Sequence, residues 1–392
     1  MRNRFVLLGA GLVAASLLVA PGARAQTVCG GNNGPCGQIQ SNNTAYGTTA
    51  DEFLLLAPSA RGEALGGAFA ALATDVSAVY YNPAGLAQMD HAGIMASTMN
   101  YVASTRYAWA AIGLPFGGGA RALGVSIANF GFNNQPVYTV NDPNGTSGEV
   151  YSVSQTAAGL TYSQQFSDRF SAGITAKLIN DQLGQTSGNA FAVDFGTSFH
   201  ATVGGRPIRA SFVIQNLGTT ITQTGQALSV VINRNPPSGQ QPVTQEPATA
   251  ALTAKAWGLP VMFRVGLSYD VFRTSASRLS VLGEFTQPNN NLPGFSFGGE
   301  YHLGLGGSGF GVAARGSVTY WPDNNLSVPG AGQQGYAGFT SSVGGTSKYR
   351  GAVGGGIYYR PATSGFGVGV DYAWRSMGLL GGVNMLTIAF NW

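Results

Sequence analysis

Gly365-Phe366-Gly367-Val368-Gly369-Val370-Asp371-Tyr372-Ala373-Trp374-Arg375 alternates strictly. Phe366, Val368, Val370, Tyr372 and Trp374 fall on one face, and Gly365, Gly367, Gly369, Asp371, Ala373 and Arg375 on the other. Successive side chains of a β-strand point to opposite sides. Bulky apolar residues on one side and small or polar ones on the other mark a strand with lipid on one face and a polar interior on the other.

The pattern recurs. Over 191–200, Phe191, Val193, Phe195 and Phe199 oppose Asp194, Ser198 and His200; over 261–271, Val261, Phe263, Val265, Leu267, Tyr269 and Val271 oppose Arg264, Ser268 and Asp270. From Ala92 onward no apolar run reaches the roughly 20 residues that a transmembrane helix needs. Backbone groups in lipid must be satisfied internally, so alternating strands can span only as a closed barrel. Such segments lie at 92–103, 106–116, 120–132, 149–164, 168–181, 189–201, 206–217, 260–272, 278–288, 293–304, 309–320, 348–360, 365–376 and 381–392. They predict an all-β fold, a transmembrane antiparallel barrel of about fourteen strands, an even number as bacterial barrels have.

The connections sort by length. If residue 92 starts in the periplasm, the periplasmic turns are all short: Gly117-Gly118-Gly119, Ser167-Asp168, Gly204-Gly205, 274–277, Gly306-Gly307 and 361–364. The long connections near 133–148, 218–259 and 321–347 all fall outside. Membrane barrels show this asymmetry, and a soluble β-sandwich has no reason to. The closing run Leu386-Thr387-Ile388-Ala389-Phe390-Asn391-Trp392, alternating and ending in an aromatic, resembles the insertion signal of outer-membrane proteins. Bacterial outer membrane is therefore the expected location, with its lipid as a partner.

Composition agrees. Of 392 residues, 59 are Gly and only 9% are charged, against about 25% in an ordinary soluble domain. Mean hydropathy is +0.09, which suits a two-faced wall. Aromatics at 11%, in regular stretches, argue against disorder.

Residues 1–25 read as a signal peptide: Arg2 and Arg4, an apolar run over 5–20, then Ala23-Arg24-Ala25 as a small-x-small cleavage site. Its removal takes three of the 20 basic residues and none of the 16 acidic ones, leaving a net charge of about +1. The basic balance thus lies mostly in the signal and implies no nucleic-acid partner. Residues 26–50, rich in Gln, Asn, Gly, Ser and Thr, read as a flexible periplasmic lead. Cys29 and Cys36 within it can form a disulfide in an oxidising compartment; two cysteines without a nearby His give too few ligands for zinc.

Residues 51–91 differ in pattern from the strand-like segments beyond them. Phe53-Leu54-Leu55-Leu56, then Ala64, Leu65, Ala68, Phe69 and Leu72, form a helix-like apolar face. Asn82-Pro83-Ala84-Gly85 then forces a turn. This segment is expected to be a small helical hatch ahead of the barrel at 92–392.

Motifs with catalytic overtones are weak. His91, His200 and His302 are scattered. Gly294-Phe295-Ser296-Phe297-Gly298 matches G-x-S-x-G but lies inside a strand, whereas the hydrolase motif needs a strand-to-helix elbow. The G-x-G-x-x-G match at 304–309 lacks a βαβ unit. No enzyme activity and no cofactor are expected. More informative are the residues that parity turns inward: Lys177, Asp194, Arg209, Arg264, Glu284, Glu300, Arg315, Arg360 and Asp371. With both signs present, they could pair into a lattice or line a polar conduit, and a mixed lining argues against a strongly ion-selective pore.

The stretch Ala60-Arg61 … Ala64-Leu65-Gly66-Gly67-Ala68-Phe69-Ala70-Ala71 … Asp75 … Tyr80-Tyr81-Asn82-Pro83-Ala84-Gly85-Leu86-Ala87 resembles the N-terminal signature of the PorV/PorQ proteins, within the FadL-like superfamily of outer-membrane barrels. Gln215-Asn216-Leu217-Gly218, Leu259-Pro260 with Phe263-Arg264-Val265-Gly266-Leu267-Ser268-Tyr269, and Asp371-Tyr372-Ala373-Trp374 match further, in family order. The resemblance implies fourteen strands with the N-terminal segment folded in as a hatch. A PorV-type member would serve protein export, with secreted proteins or type IX-like secretion machinery as partners. A FadL-type member would pass long-chain fatty acids or other hydrophobic molecules, with Phe53, Leu55 and Phe69 of the hatch near the ligand. The turn Asn82, Pro83, Ala84, Gly85 is shared across the superfamily, and its plain reading is a seat for the hatch.

Overall fold

A computed structural model describes residues 47–232, 248–321, 349–361 and 365–392. The expected signal peptide, Cys29 and Cys36, most of the lead and much of the two longest loops lie outside the described residues.

Fourteen strands form the wall. The first seven are β1 Gly93–Asn100, β2 Arg106–Phe116, β3 Arg121–Pro136, β4 Val150–Ser167, β5 Phe170–Leu183, β6 Thr186–Val203 and β7 Arg206–Gly218. Beyond the longest connection lie β8 Met262–Arg273, β9 Ser277–Pro288, β10 Gly294–Gly304, β11 Phe310–Tyr320, β12 Tyr349–Tyr359, β13 Gly367–Ser376 and β14 Gly382–Asn391. Each pairs antiparallel with its sequence neighbours, β7 meets β8 across the long connection, and β14 returns to β1 with Gly93 opposite Asn391. The sheet is closed.

Parity along the strands is as the alternation predicts. In β13 the inward Gly367, Gly369, Asp371 and Ala373 are buried, while Val370, Tyr372 and Trp374 are exposed. Val125, Leu160, Leu178, Phe212, Leu267 and Ile357 add to a large outward apolar surface. No helix among the described residues is long and apolar enough to cross a membrane. The turns at 117–120, 168–169 and 204–205 sit at one end of the barrel, and longer connections, including 137–149 and the described parts of 219–261, at the other. In the 137–149 loop the exposed Asp142 carboxylate accepts the N–H groups of Thr146 and Ser147, which pulls its pKa down to about 2.

The lumen is filled from the chain's own N-terminal side. A 3-10 turn, Glu52–Leu55, leads to α1 Ala60–Ala64, α2 Ala78–Tyr81 and a second 3-10 turn, Pro83–Gln88. Leu65, Phe69, Leu72, Val79, Tyr81 and Leu86 are buried, and Phe69 and Tyr80 each set their ring edge-on to Tyr81. The apolar periodicity predicts more continuous helix than forms. Gly66 and Gly67, at φ 64° and 81°, leave the helical region just beyond α1, and wall side chains supply the backbone hydrogen bonds that a helix would otherwise make.

Residues 47–50, expected to belong to a periplasmic lead, stand instead at the long-loop end. Thr49 bridges to Gly258, the Ala50 N–H donates to the Gly258 carbonyl at 3.0 Å, and Asn290 of the β9–β10 loop donates to Thr49 Oγ1 at 2.6 Å. The hatch therefore runs from the long-loop end down to residue 92, where β1 begins at the short-turn end.

Candidate functional site

The seat of the hatch is built on Asn82. Its Oδ1 accepts from Ala84 N at 3.1 Å, and its Nδ2 donates to the carbonyls of Ala70 and Thr197, both at 3.1 Å. Pro83 opens the 3-10 turn, where its missing N–H costs nothing. The wall makes room with glycine: a Cβ on Gly196 would overlap Asn82 Oδ1, and one on Gly173 would overlap the carbonyl carbon of Pro83. Ser163 and Ser171 both donate to the Ala84 carbonyl, and Ser163 Oγ accepts from Ala87 N. These contacts give Asn82, Pro83, Ala84 and Gly85 a physical reason: a buried turn pressed directly on wall backbone.

Across the lumen the hatch meets charge. Glu300 of β10 takes Arg61 of α1 and Arg315 of β11 on one oxygen, both at 2.7 Å, and Arg278 of β9 on the other at 2.8 Å. Arg315 continues to Asp371 of β13 at 2.6 Å, and Tyr358 donates to the same carboxylate. Arg61 also pairs with Asp75 at 2.8 Å. Arg264 and Glu284 pair at 2.5 Å; Arg264 donates to the Gly67 carbonyl, and Glu284 accepts from Ala70 N. Arg375 pairs with Glu63 at 3.2 Å. Hydroxyls complete this side: Ser317 donates to Ala64, and Ser296 and Thr319 to Gly66.

A third group lies at the β6–β7 corner. Asn216 has φ 60°, and the register between the strands shifts beside it at Val193/Phe195. Its N–H donates to Asp194 Oδ1 at 2.8 Å, while Lys177 reaches both Asp194, at 2.6 Å, and Asn216 Oδ1, at 2.8 Å. Gln215 next to it donates to the Tyr80 carbonyl and accepts from Arg264. The bulge thereby turns the Gln215-Asn216 motif into a clamp between hatch and wall.

Seven of the nine inward residues read by parity, namely Lys177, Asp194, Arg264, Glu284, Glu300, Arg315 and Asp371, are thus buried and joined in ion pairs. Arg209 is inward and half-buried but forms no ion pair among the described residues. Arg360 lies just past the end of β12 and is exposed at the short-turn mouth. The candidate residues do not include Arg61, Glu63, Asp75, Arg278, Tyr358 or Arg375, although Arg375 falls on the polar face of 365–375 and Arg61 and Asp75 lie in the stretch that carries the family resemblance. Strand parity alone places Arg278, Tyr358 and Arg375 inward; the hatch residues carried no such signal.

Two cavities border the hatch and share no lining residue. One, of about 560 Å³, opens at the short-turn end and is lined by Arg61, Asp75, His91, Arg278, His302 and Arg360 among others. The other, of about 30 Å³, is enclosed by Phe53, Leu54, Val79 and Tyr80 of the hatch and Tyr107, Trp109, Ala128, Ala157 and Lys177 of β2–β5. Phe53 stacks on Phe130 at 6.4 Å. Leu55 is half-buried and lines neither cavity, and Phe69 is fully buried against Tyr81 with Arg61 over its ring.

Ser296 is the third residue of β10, with strand on both sides of it, and its hydroxyl is spent on the Gly66 carbonyl, so no nucleophile elbow exists there. Among the described residues no group of three or more His, Cys, Asp or Glu is placed to hold a metal.

What fold and site define is a closed fourteen-stranded barrel whose N-terminal segment plugs its own lumen. No family model matches the chain, nor does any curated sequence. Among solved structures it is similar to the CymD monoaromatic hydrocarbon channel, at 11% identity and a TM-score of 0.51, over 86% of this chain and 97% of that one. It is also similar to a Pseudomonas aeruginosa FadL homologue (9% identity, TM-score 0.47, 85% and 97% covered) and to the Ralstonia pickettii toluene transporter TbuX (10% identity, TM-score 0.47, 85% and 97% covered). At 11% identity the likeness to CymD is one of fold, a closed antiparallel β-barrel.

Proposed function

We propose that the protein is an outer-membrane channel for hydrophobic small molecules, gated by its hatch. The observation that carries this reading is the apolar seam where Phe53 and Leu54 of the hatch face Tyr107 and Trp109 of the wall near the long-loop end; its gap of about 30 Å³ has room for about one water, so a solute passes only as the hatch moves. An apolar solute arriving there meets aromatic surface, and hatch residues stand between it and the larger cavity below, whose lining mixes charged side chains with Met89, Ile94, Met95 and Phe310. The fold shared with a hydrocarbon channel supports the same role. The outward apolar surface and the one-sided sorting of long loops support an outer-membrane location.

A PorV-type role in protein export is the second reading. It is favoured by the sequence resemblance, whose residues form the hatch and the Gln215–Gly218 corner, and by the long loops around 219–261 and 321–348 as surfaces for secreted proteins or secretion machinery. Deleting the gene and tracking both uptake of a labelled long-chain fatty acid or toluene and export of surface proteins separates the two. Lost uptake with normal export is the expected result; normal uptake with lost export overturns the channel reading.

A further inference from the structure

Eight carboxylates among the described residues are buried: Asp51, Glu63, Asp181, Asp194, Asp270, Glu284, Glu300 and Asp371. Six of them face an Arg or Lys in an ion pair; Asp51 and Asp181 do not. An anion taken out of water without a counter-charge is costly enough that proteins pair or neutralise it. These two are also close together, since Gln155, whose side chain donates to Asp51, lies directly opposite Asp181 in the β4–β5 register.

The local geometry points to what is missing. Asp51 is 4% exposed and stands at the head of the hatch; Asp181 is 3% exposed near the long-loop end of β5. Gln155 of β4 donates to Asp51 Oδ1 at 3.1 Å, and Gln223, from the connection after β7, donates to Asp181 Oδ2 at 2.7 Å. That leaves Asp51 Oδ2, Asp181 Oδ1 and Gln223 Oε1 buried with no hydrogen-bond donor. All three are acceptors, and they come from three separate segments. The nearby Lys177 is already committed to Asp194 and Asn216.

We propose that Asp51, Asp181 and Gln223 bind a divalent cation, calcium, that staples the head of the hatch and the 219–228 connection to the wall at β4 and β5. Calcium takes six to eight oxygen ligands in flexible geometry, from carboxylates, side-chain amide carbonyls and water. Two carboxylates balance its charge, and the amides of Gln155 and Gln223 can turn their oxygens toward it. The staple would act on the apolar pocket directly, because Asp51 lies two residues before Phe53, which lines it. Carboxylates bind calcium only when deprotonated, so protons compete with the cation at acid pH. The inference does not depend on what the channel carries.

The test uses the full chain folded in detergent micelles, stripped with chelator and titrated calorimetrically with calcium chloride at pH 8. One calcium per chain is expected, with affinity at least about tenfold weaker in Asp181→Asn and Asp51→Asn and weaker in Gln223→Leu. Asp142→Asn, an exposed loop carboxylate, should bind as the parent does. Calcium should raise the melting temperature at pH 8 and lose that effect at pH 5.5. If the Asp variants fail to fold, this melting comparison decides alone. A chain that binds no calcium at millimolar concentration overturns the proposal, as does undiminished binding in Asp181→Asn. So does a melting temperature that rises at acid pH but ignores calcium at pH 8, which would mean that the two carboxyls share a proton instead.

Discussion

The two sides of the lumen hold the hatch by different physics. On the β4–β7 side the contact is neutral and close: Ser163, Ser171 and the Thr197 carbonyl bind the Asn82 turn, and Gly173 and Gly196 let backbone touch backbone. On the β8–β13 side the hatch is held largely by long charged side chains, Arg61 on Glu300, Arg264 on Gly67, Arg375 on Glu63. A contact built on missing Cβ atoms tolerates almost no displacement, because packing repulsion is steep. An ion pair between flexible side chains loses energy gradually with distance. The difference implies a fixed heel at residues 82–88 and a yielding shoulder at 60–72, so a moving hatch would swing away from the charged side first.

Three substitutions break or sharpen that contrast. Glu300→Gln removes the anion shared by Arg61, Arg278 and Arg315 and should cost about 3–5 kcal/mol, the usual effect of leaving buried charge unpaired. Amide exchange should accelerate across 60–72 while 82–88 stays protected; equal opening of both stretches would refute the heel-and-shoulder picture. Gly196→Val forces a side chain into the space of Asn82 Oδ1 and should cost about 1–3 kcal/mol by denaturant titration, with exchange now accelerating at 82–88. Ser296→Ala loses a neutral hydroxyl that sits within hydrogen-bond reach of the Gly66 carbonyl and of Thr319 Oγ1 and should cost about 0.5–1.5 kcal/mol. A larger loss would assign the hydroxyl a role that its contacts to Gly66 and Thr319 do not explain.

Much of the wall was legible because each strand has one apolar and one polar face. The run read at 365–376 forms Gly367–Ser376, and the one read at 189–201 forms Thr186–Val203. The longer strand shows where the reading stops: pairing continues past the apolar band into Thr186, Ser187 and Gly188, where alternation carries no hydrophobic signal. Parity likewise turned Glu300 and Arg315 inward, but not toward each other, since pairing depends on register between strands. β12 stops at Tyr359, one residue short of the run read at 348–360, and Arg360 lines the cavity at the short-turn mouth without an ion pair among the described residues. The hatch was the hardest part. Its apolar spacing predicts helix, yet its hydrogen bonds go to Thr387, Ser317, Glu284 and Ser163, residues more than seventy positions away that no local window contains. Asp51 and Asp181 stayed unread for the same reason, being neighbours only after folding.

The pairing of β1 with β14 has a consequence for assembly. The wall cannot become a ring until the last strand meets the first, Gly93 against Asn391 and Asn100 against Asn384. The hatch is joined directly to β1 and winds through the whole interior. Threading so many seated backbone contacts into a finished ring would require breaking them one by one in a confined space. The economical order is to lay the hatch on a still-open sheet and zip the seam around it, so that closure acts as a latch. Long-range closure of this kind is slow in any chain, and an open sheet waiting for its final strand exposes two unpaired edges. Weakening the seam, for instance with Ile388→Pro, should therefore show itself as chains that never mature, more than as mature barrels that fall apart.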